Sequence, residues 1–272
     1  MAKTAPRTFL TYQHDANLHT LQTTVTAIQP YTSLKESNRQ LFKEGGEEYY
    51  VIITEATIFH PQGGGQPSDI GVLEGPSGTT FTVSSVRMDT VQEGQVLHLG
   101  RFETQSSPIF TVGETVEQKI DVEKRLLYSR LHTAGHVLGA AVRHLLEHEI
   151  ENFDELKASH FPDSAACEFQ GLIEGKWKVP IQNEVDKYVA SKAEVRVEWW
   201  GDDDFRAKGL GRLIPDRRLV PEGEKSRVVN IGGLEAYPCG GTHVDTTDQC
   251  GPVTVRKITR KVGNSRVSYA VN

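Results

Sequence analysis

A change of hydrophobic period at Asp121 constrains this chain more than any other feature. Beyond it, Val122, Leu126, Leu127, Leu131, Ala134, Leu138, Ala141, Val142, Leu145 and Leu146 return at helical spacing, which predicts one long amphipathic helix. Asp121 suits the N-cap and Glu123 the first turn. Gly135 and Gly139 each cost such a helix about 1 kcal/mol relative to alanine, so their presence predicts that something packs closely there.

Before Asp121 the pattern is different. Residues 20–111 read as short extended segments, such as 23–28, 49–54, 80–86 and 95–99, broken by turns at Gly45-Gly46, Gly75-Pro76 and Glu93-Gly94. A small β-barrel accounts for them. After the long helix, Pro180 opens a second helix over 180–190, with Ile181, Val185, Tyr188 and Val189 on one face. Alternating strands follow at 195–200, 227–231, 252–262 and 266–271. The expected fold is α+β, an N-terminal small β-barrel domain over 1–115 followed by an α+β domain over 116–272. A chain of 272 residues, 37% of them hydrophobic, can supply both cores.

Composition excludes several classes. A net charge of −6 gives no global attraction to nucleic acid, so any RNA contact needs a local basic face. Three cysteines cannot all pair within the chain, and nothing signals secretion, which favours a reducing compartment. No stretch approaches the roughly 20 apolar residues of a membrane span. Lys3 and Arg7 precede the first acidic residue, Asp15, as in a mitochondrial leader, but Pro6 and the lack of an amphipathic repeat count against one. Cytoplasm is the expected location.

The chemistry concentrates in two short motifs. His132-Thr133-Ala134-Gly135-His136 places two imidazoles at i and i+4 on one helix face, close enough to share an ion. Pro238-Cys239-Gly240-Gly241-Thr242-His243 is a tight loop offering a thiolate and a third imidazole. Three nitrogens and one soft sulfur suit zinc and serve magnesium or calcium poorly. Thr133 stands where a metalloprotease of the H-E-x-x-H type carries its glutamate, which excludes that class. A purely structural zinc stays open, since four protein ligands close the tetrahedron.

With Lys119-Ile120-Asp121 and Arg125 leading into the first motif, and with Val244 after the second, the sequence resembles the editing domain of alanyl-tRNA synthetases and the free-standing AlaX-type proteins. A third element agrees: Thr57-Ile58-Phe59-His60-Pro61-Gln62-Gly63-Gly64-Gly65-Gln66-Pro67-Ser68-Asp69-Ile70-Gly71 resembles the family's glycine-rich motif. Two positions depart from that pattern, His60, where an aromatic residue is common, and Cys250. The resemblance implies a β-barrel followed by a zinc-binding editing domain, with one Zn2+ held by His132, His136, Cys239 and His243. It implies an aminoacyl-tRNA deacylase that removes serine or glycine from alanine tRNA.

Gln66, Thr133 and Thr242 are the candidate pocket residues, since each sits inside one of these motifs and offers a hydrogen-bonding group. Gly63, Gly64 and Gly65 are candidates for backbone approach to the tRNA. Lys257 and Lys261, on one face of a basic terminal hairpin that also carries Arg256 and Arg260, are candidates for phosphate contact. Arg206, Lys208, Arg212, Arg217 and Arg218 form a second basic stretch, diluted by Asp202-Asp203-Asp204. His160 reads as a structural histidine, and His144 and His148 as a solvated helix end.

The partner expected is the acceptor end of alanine tRNA, with no DNA, membrane or obligate protein partner. Two alternatives stay open: editing of another mischarged tRNA, such as seryl-tRNA(Thr), and a non-catalytic zinc-stabilised RNA-binding module. No G-x-x-x-x-G-K-[ST] loop is present, so ATP-dependent aminoacylation is not expected.

Overall fold

Thr23 and Val25 turn inward along β2 (Thr20–Pro30) while Thr24 and Thr26 stay partly exposed, the alternation that sets a strand against a core on one face. The computed structural model describes residues 6–103, 109–216, 220 and 223–272; Lys3, Arg217 and Arg218 lie outside them. Residues up to Gly63 together with Pro67–Leu126 form a first compact unit, and Gly64–Gln66 with Leu127–Asn272 a second.

In the first unit β1 (Phe9–Leu10) pairs in parallel with β4 (Ala56–Thr57). A barrel is built from β2, β3 (Tyr50–Thr54), β5 (Gly71–Glu74), β6 (Thr80–Met88), β7 (Val96–Phe102) and β8 (Thr115–Ile120). It closes in the order β2-β3-β7-β6-β5-β8, which leaves no strand edge open. Ile52, Leu73, Phe81, Val83, Val86 and Val96 fill it.

β8 extends beyond residue 115 and closes the barrel against β2 and β5. Its inward positions are Val116, Gln118 and Ile120, so a polar residue interrupts the apolar alternation that would announce a strand. Gln118 is fully buried because its amide serves the barrel wall, donating to Thr54 Oγ1 and Ala56 O and accepting from Ile58 N.

After the glycine run, Asp69 and Arg125 form an ion pair, 1% and 3% exposed at the side chain. Asp69 also accepts from His60 N, while Arg125 donates to Ile58 O and Ala16 O. His60 fills its unusual position as a ring, edge-on to Tyr12 at 5.3 Å, with Nδ1 bonded to Pro67 O. An imidazole therefore replaces an aromatic residue without a packing defect.

The long helix runs over Val122–Leu146, with Asp121 Oδ1 accepting from Lys124 N as the expected N-cap. In the second unit, β9 (Asp154–Ser159), β10 (Ala166–Gln170), β14 (Val253–Lys261) and β15 (Asn264–Val271) form an antiparallel sheet in the order β14-β15-β10-β9. Leu131, Leu138 and Val142 of the long helix, Ile181 and Val185 of the helix Lys178–Ala190, and Phe169, Val255 and Tyr269 of the sheet share one core. A second sheet, β11 (Val195–Trp200), β12 (Ser226–Ile231) and β13 (Glu235–Pro238), is antiparallel throughout. Cys250 is fully buried within the larger core. The architecture is α+β with a closed six-stranded barrel. Among the described residues no helix is long and apolar enough to cross a membrane.

Candidate metal centre

The i, i+4 spacing on the long helix stacks the rings of His132 and His136, 4.9 Å apart and 16° from parallel. β13 ends at Pro238, and the loop that follows turns Cys239 and His243 toward the same point. The four donor atoms of His132, His136, Cys239 and His243 all lie within 4.8 Å of one another, so the group can hold a metal ion. Cys239 Sγ is 3.3 Å from His132 Nε2 and 3.8 Å from His243 Nε2. The loop passes so close to the helix that a Cβ on Gly241 would stand 2.2 Å from His132 Cε1, and only glycine fits.

Gln66 explains why His132 presents Nε2. The backbone N–H of Thr242 can only donate, and it donates to Gln66 Oε1 at 3.0 Å. That oxygen also lies 2.7 Å from His132 Nδ1, so Nδ1 must carry the hydrogen, which leaves the Nε2 lone pair for an ion. Gln66 Nε2 donates to Thr242 Oγ1 at 2.8 Å, and Thr242 Oγ1 also bonds Ser129 Oγ at 2.8 Å.

Burial favours the neutral form of the donors. It lowers the His136 pKa to about 3, helped by His160 and Arg227, and holds His243 well below the ordinary histidine range. Both rings are therefore neutral and have a lone pair to give. Burial raises the Cys239 thiol, opposed by the Gly241 N–H and by Arg227. Two imidazole nitrogens, His136 Nε2 and His243 Nδ1, are buried without a hydrogen-bond partner. A buried polar atom left so costs on the order of 1–3 kcal/mol, and an ion taking the His136 lone pair removes that cost. The donor set and the orphaned nitrogen both fit a metal.

His132, His136 and Cys239 of the cluster line a cleft of about 310 Å³, together with Gly64, Glu155, His160, Cys167 and Tyr237; His243 lies behind them. Gln66, Thr133 and Thr242 do not line it; they sit fully buried behind the donors. Thr133 Oγ1 donates to Ser129 O and accepts from Val244 N, tying helix to loop. Gly64 and Gly65 have positive φ, +54° and +79°; Gly64 faces open space, whereas a Cβ on Gly65 would stand 2.4 Å from Ala158 O. Gly63 belongs to the first unit. Lys257 and Lys261 lie outside the cluster, exposed on β14.

From sequence His160 reads as a structural residue, and nothing singles out Glu155 or Tyr237; all three line the cleft. The signal available is Gly135 and Gly139. A Cβ on Gly135 would stand 2.3 Å from His160 Cε1, and one on Gly139 would stand 2.8 Å from Glu155 Oε2 and 3.0 Å from Tyr237 Oη. His144 bonds Tyr188 Oη at 2.6 Å, and His148 is exposed. A larger hollow of about 670 Å³ on the first unit, lined by Glu47, Glu48, Tyr50 and Arg101, contains no metal-ligating cluster among the described residues.

Fold and site thus define a protein with a barrel unit and a second unit whose cleft carries a histidine–cysteine donor set. Residues 2–124 match the family described as tRNA synthetases class II (A), and residues 226–267 match the threonyl and alanyl tRNA synthetase second additional domain. The chain is 29% identical over 256 residues to an alanine–tRNA ligase of Methanosphaera stadtmanae, covering 91% of this chain and 27% of that protein. It is 30% identical over 214 residues to the alanyl-tRNA editing protein AlaX-L of Pyrococcus horikoshii, covering 78% of this chain and 49% of that one. By these matches the chain is similar to alanine–tRNA ligases and to the AlaX-type alanyl-tRNA editing protein. It spans about half the length of the AlaX-L relative and about a quarter of the ligase.

Proposed function

We propose that this protein is a zinc-containing aminoacyl-tRNA deacylase that cleaves the ester between serine or glycine and the terminal adenosine of alanine tRNA, in the cytoplasm. The observation that carries the reading is the convergence of His132, His136, Cys239 and His243 on one point, the first three of them lining a cleft, in a chain similar to an alanyl-tRNA editing protein. One Zn2+ held by those four residues would supply Lewis-acid polarisation and a fixed positive charge beside the substrate.

The chain's own residues divide the remaining work. Gln66, Thr133 and Thr242 hold the donor-bearing helix and loop together behind the ligands. Gly64, without a side chain at the cleft, lets the tRNA end approach the backbone, with Gly63 and Gly65 shaping the turn. Lys257 and Lys261 contact tRNA phosphates; no ion pair engages either among the described residues. Residues 1–115, with β8 completing the barrel as far as Ile120, serve as the barrel domain, and the rest of 116–272 as the editing domain.

The test is deacylation of seryl-, glycyl- and alanyl-tRNA(Ala), with seryl-tRNA(Thr) as control. Preference for the control would favour the threonine system, which the matched second additional domain also names. Zinc and tRNA binding without turnover would make the protein an RNA-binding module.

A further inference from the structure

A fourth imidazole, beyond the three of the donor cluster, lines the cleft. His160 is 2% exposed, and its ring lies over that of His132, centroids 4.1 Å apart and 21° from parallel. Its backbone N–H donates to Gly65 O at 2.8 Å. Its Nδ1 is 2.7 Å from Tyr269 Oη, and Tyr269 Oη donates to Leu131 O at 2.8 Å.

A phenol has one hydrogen. Since Tyr269 gives it to Leu131 O, the contact with His160 must be an Nδ1–H donating to the phenol oxygen. The neutral ring is thereby fixed as the Nδ1–H tautomer, with the lone pair on Nε2. That nitrogen makes no hydrogen bond within the described protein. Glycines make room for the ring on both sides of it: a Cβ would stand 2.3 Å from Cε1 at Gly135 and 3.2 Å from Cδ2 at Gly65. The only polar ring atom of His160 not used inside the protein is an acceptor on the cleft wall.

We infer that His160 Nε2 is a fixed hydrogen-bond acceptor for the α-ammonium of the bound aminoacyl group, with Tyr269 as the positioning residue that sets its tautomer. This rests on the deacylase reading. Carbonyl and ester oxygens are acceptors and cannot satisfy a lone pair; the ammonium brings three donors and is costly to bury unpaired. Lys157, 3.5 Å from Glu168, lines the cleft together with the carboxylates of Glu155 and Glu168. Their ties to Arg143 and Arg266 hold them in place.

The experiment uses the zinc-loaded protein and three esters of alanine tRNA: glycyl, seryl and propanoyl, the last lacking the amino group. His160→Leu should raise KM by about tenfold or more for the glycyl and seryl esters, as expected for removal of one hydrogen bond to a charged group. It should leave the propanoyl ester within about twofold and the zinc content unchanged. His160→Gln, whose amide oxygen restores an acceptor, should recover most of the loss, and Tyr269→Phe should fall between. In the unaltered protein, imidazole nitrogen NMR should show a protonated Nδ1 and a bare Nε2 at His160. A loss confined to the seryl ester would reassign the acceptor to the side-chain hydroxyl and overturn the inference. Equal loss on all three esters, no loss, or a hydrogen found on Nε2 would overturn it as well. If the unaltered protein cleaves none of the esters, the deacylase reading falls and this inference falls with it.

Discussion

Gln66 Oε1 accepts from both His132 Nδ1 and the backbone N–H of Thr242, at 2.7 and 3.0 Å. One amide thus sets the tautomer of a donor histidine and fixes the loop that carries Cys239 and His243. Gln66→Leu should keep the fold and weaken zinc about 10–100-fold, the usual cost of removing a partner behind a ligand. Gln66→Glu, which keeps the acceptor, loses the donor to Thr242 Oγ1 and adds a carboxylate that the His132 ring and the ion face, should cost less. Chelator competition measures both. Equal zinc affinity in Gln66→Leu and the unaltered protein would contradict this role.

Zinc should bind at one ion per chain, and Cys239→Ala or His136→Ala should abolish stoichiometric binding. Elemental analysis of folded variants checks it. A full equivalent retained by both would mean that the donor set is wrong.

Salt should reveal where RNA binds. On β14 a register shift between Val255 and Lys257 leaves Lys257, Thr259 and Lys261 opposite Ser268, Arg266 and Asn264. The two lysines share a face, as the alternation predicts. Each cation removed from a phosphate should reduce the slope of log affinity against log salt by about 0.7 to 0.9. The Lys257→Ala, Lys261→Ala double variant should therefore bind tRNA more weakly, with a slope flatter by roughly 1.5. An unchanged slope would place the phosphate-binding groups elsewhere.

Acid should weaken the barrel through His98. Its ring is fully buried, with Nε2 bonded to Thr57 Oγ1 and Nδ1 to Ile52 O, and burial lowers its pKa from 6.5 to about 4. Between those values the unfolded chain binds the proton and the folded one does not, so stability rises with pH across the window. It is lost as pH falls from about 6.5 toward 4, by on the order of 3 kcal/mol from this group. Denaturant unfolding at pH 7 and pH 4.5 should show a smaller pH-dependent loss for His98→Gln than for the unaltered protein. An identical loss in the two proteins would contradict the assignment.

Periodicity made the long helix legible, along with its N-cap and the i, i+4 histidines, because these depend on neighbours in sequence. The strands at 20–30, 50–54 and 80–88 were legible for the same reason. β8 was harder to read, since Gln118 breaks its apolar alternation and only the finished barrel supplies that amide's partners. The register shift after Val255 leaves no mark in composition. Gly135 and Gly139 announced close approach, but not that His160, Glu155 and Tyr237 are what approach, since those contacts depend on how distant strands pack against the helix. Gln66 was legible as a site residue through its motif, whereas its place behind His132 became visible only in three dimensions.

Hydrolysis of mischarged alanine tRNA in the cleft beside His132, His136 and Cys239 is the activity proposed for this protein. The most direct measurement is single-turnover deacylation by the zinc-loaded protein of seryl-, glycyl- and alanyl-tRNA(Ala), with seryl-tRNA(Thr) and a Cys239→Ala variant in parallel. Rapid release of serine or glycine from alanine tRNA, slow release of alanine, and loss of turnover in Cys239→Ala are the expected results. Release no faster than spontaneous hydrolysis from seryl- and glycyl-tRNA(Ala), by a protein that has bound both zinc and tRNA, would contradict that activity.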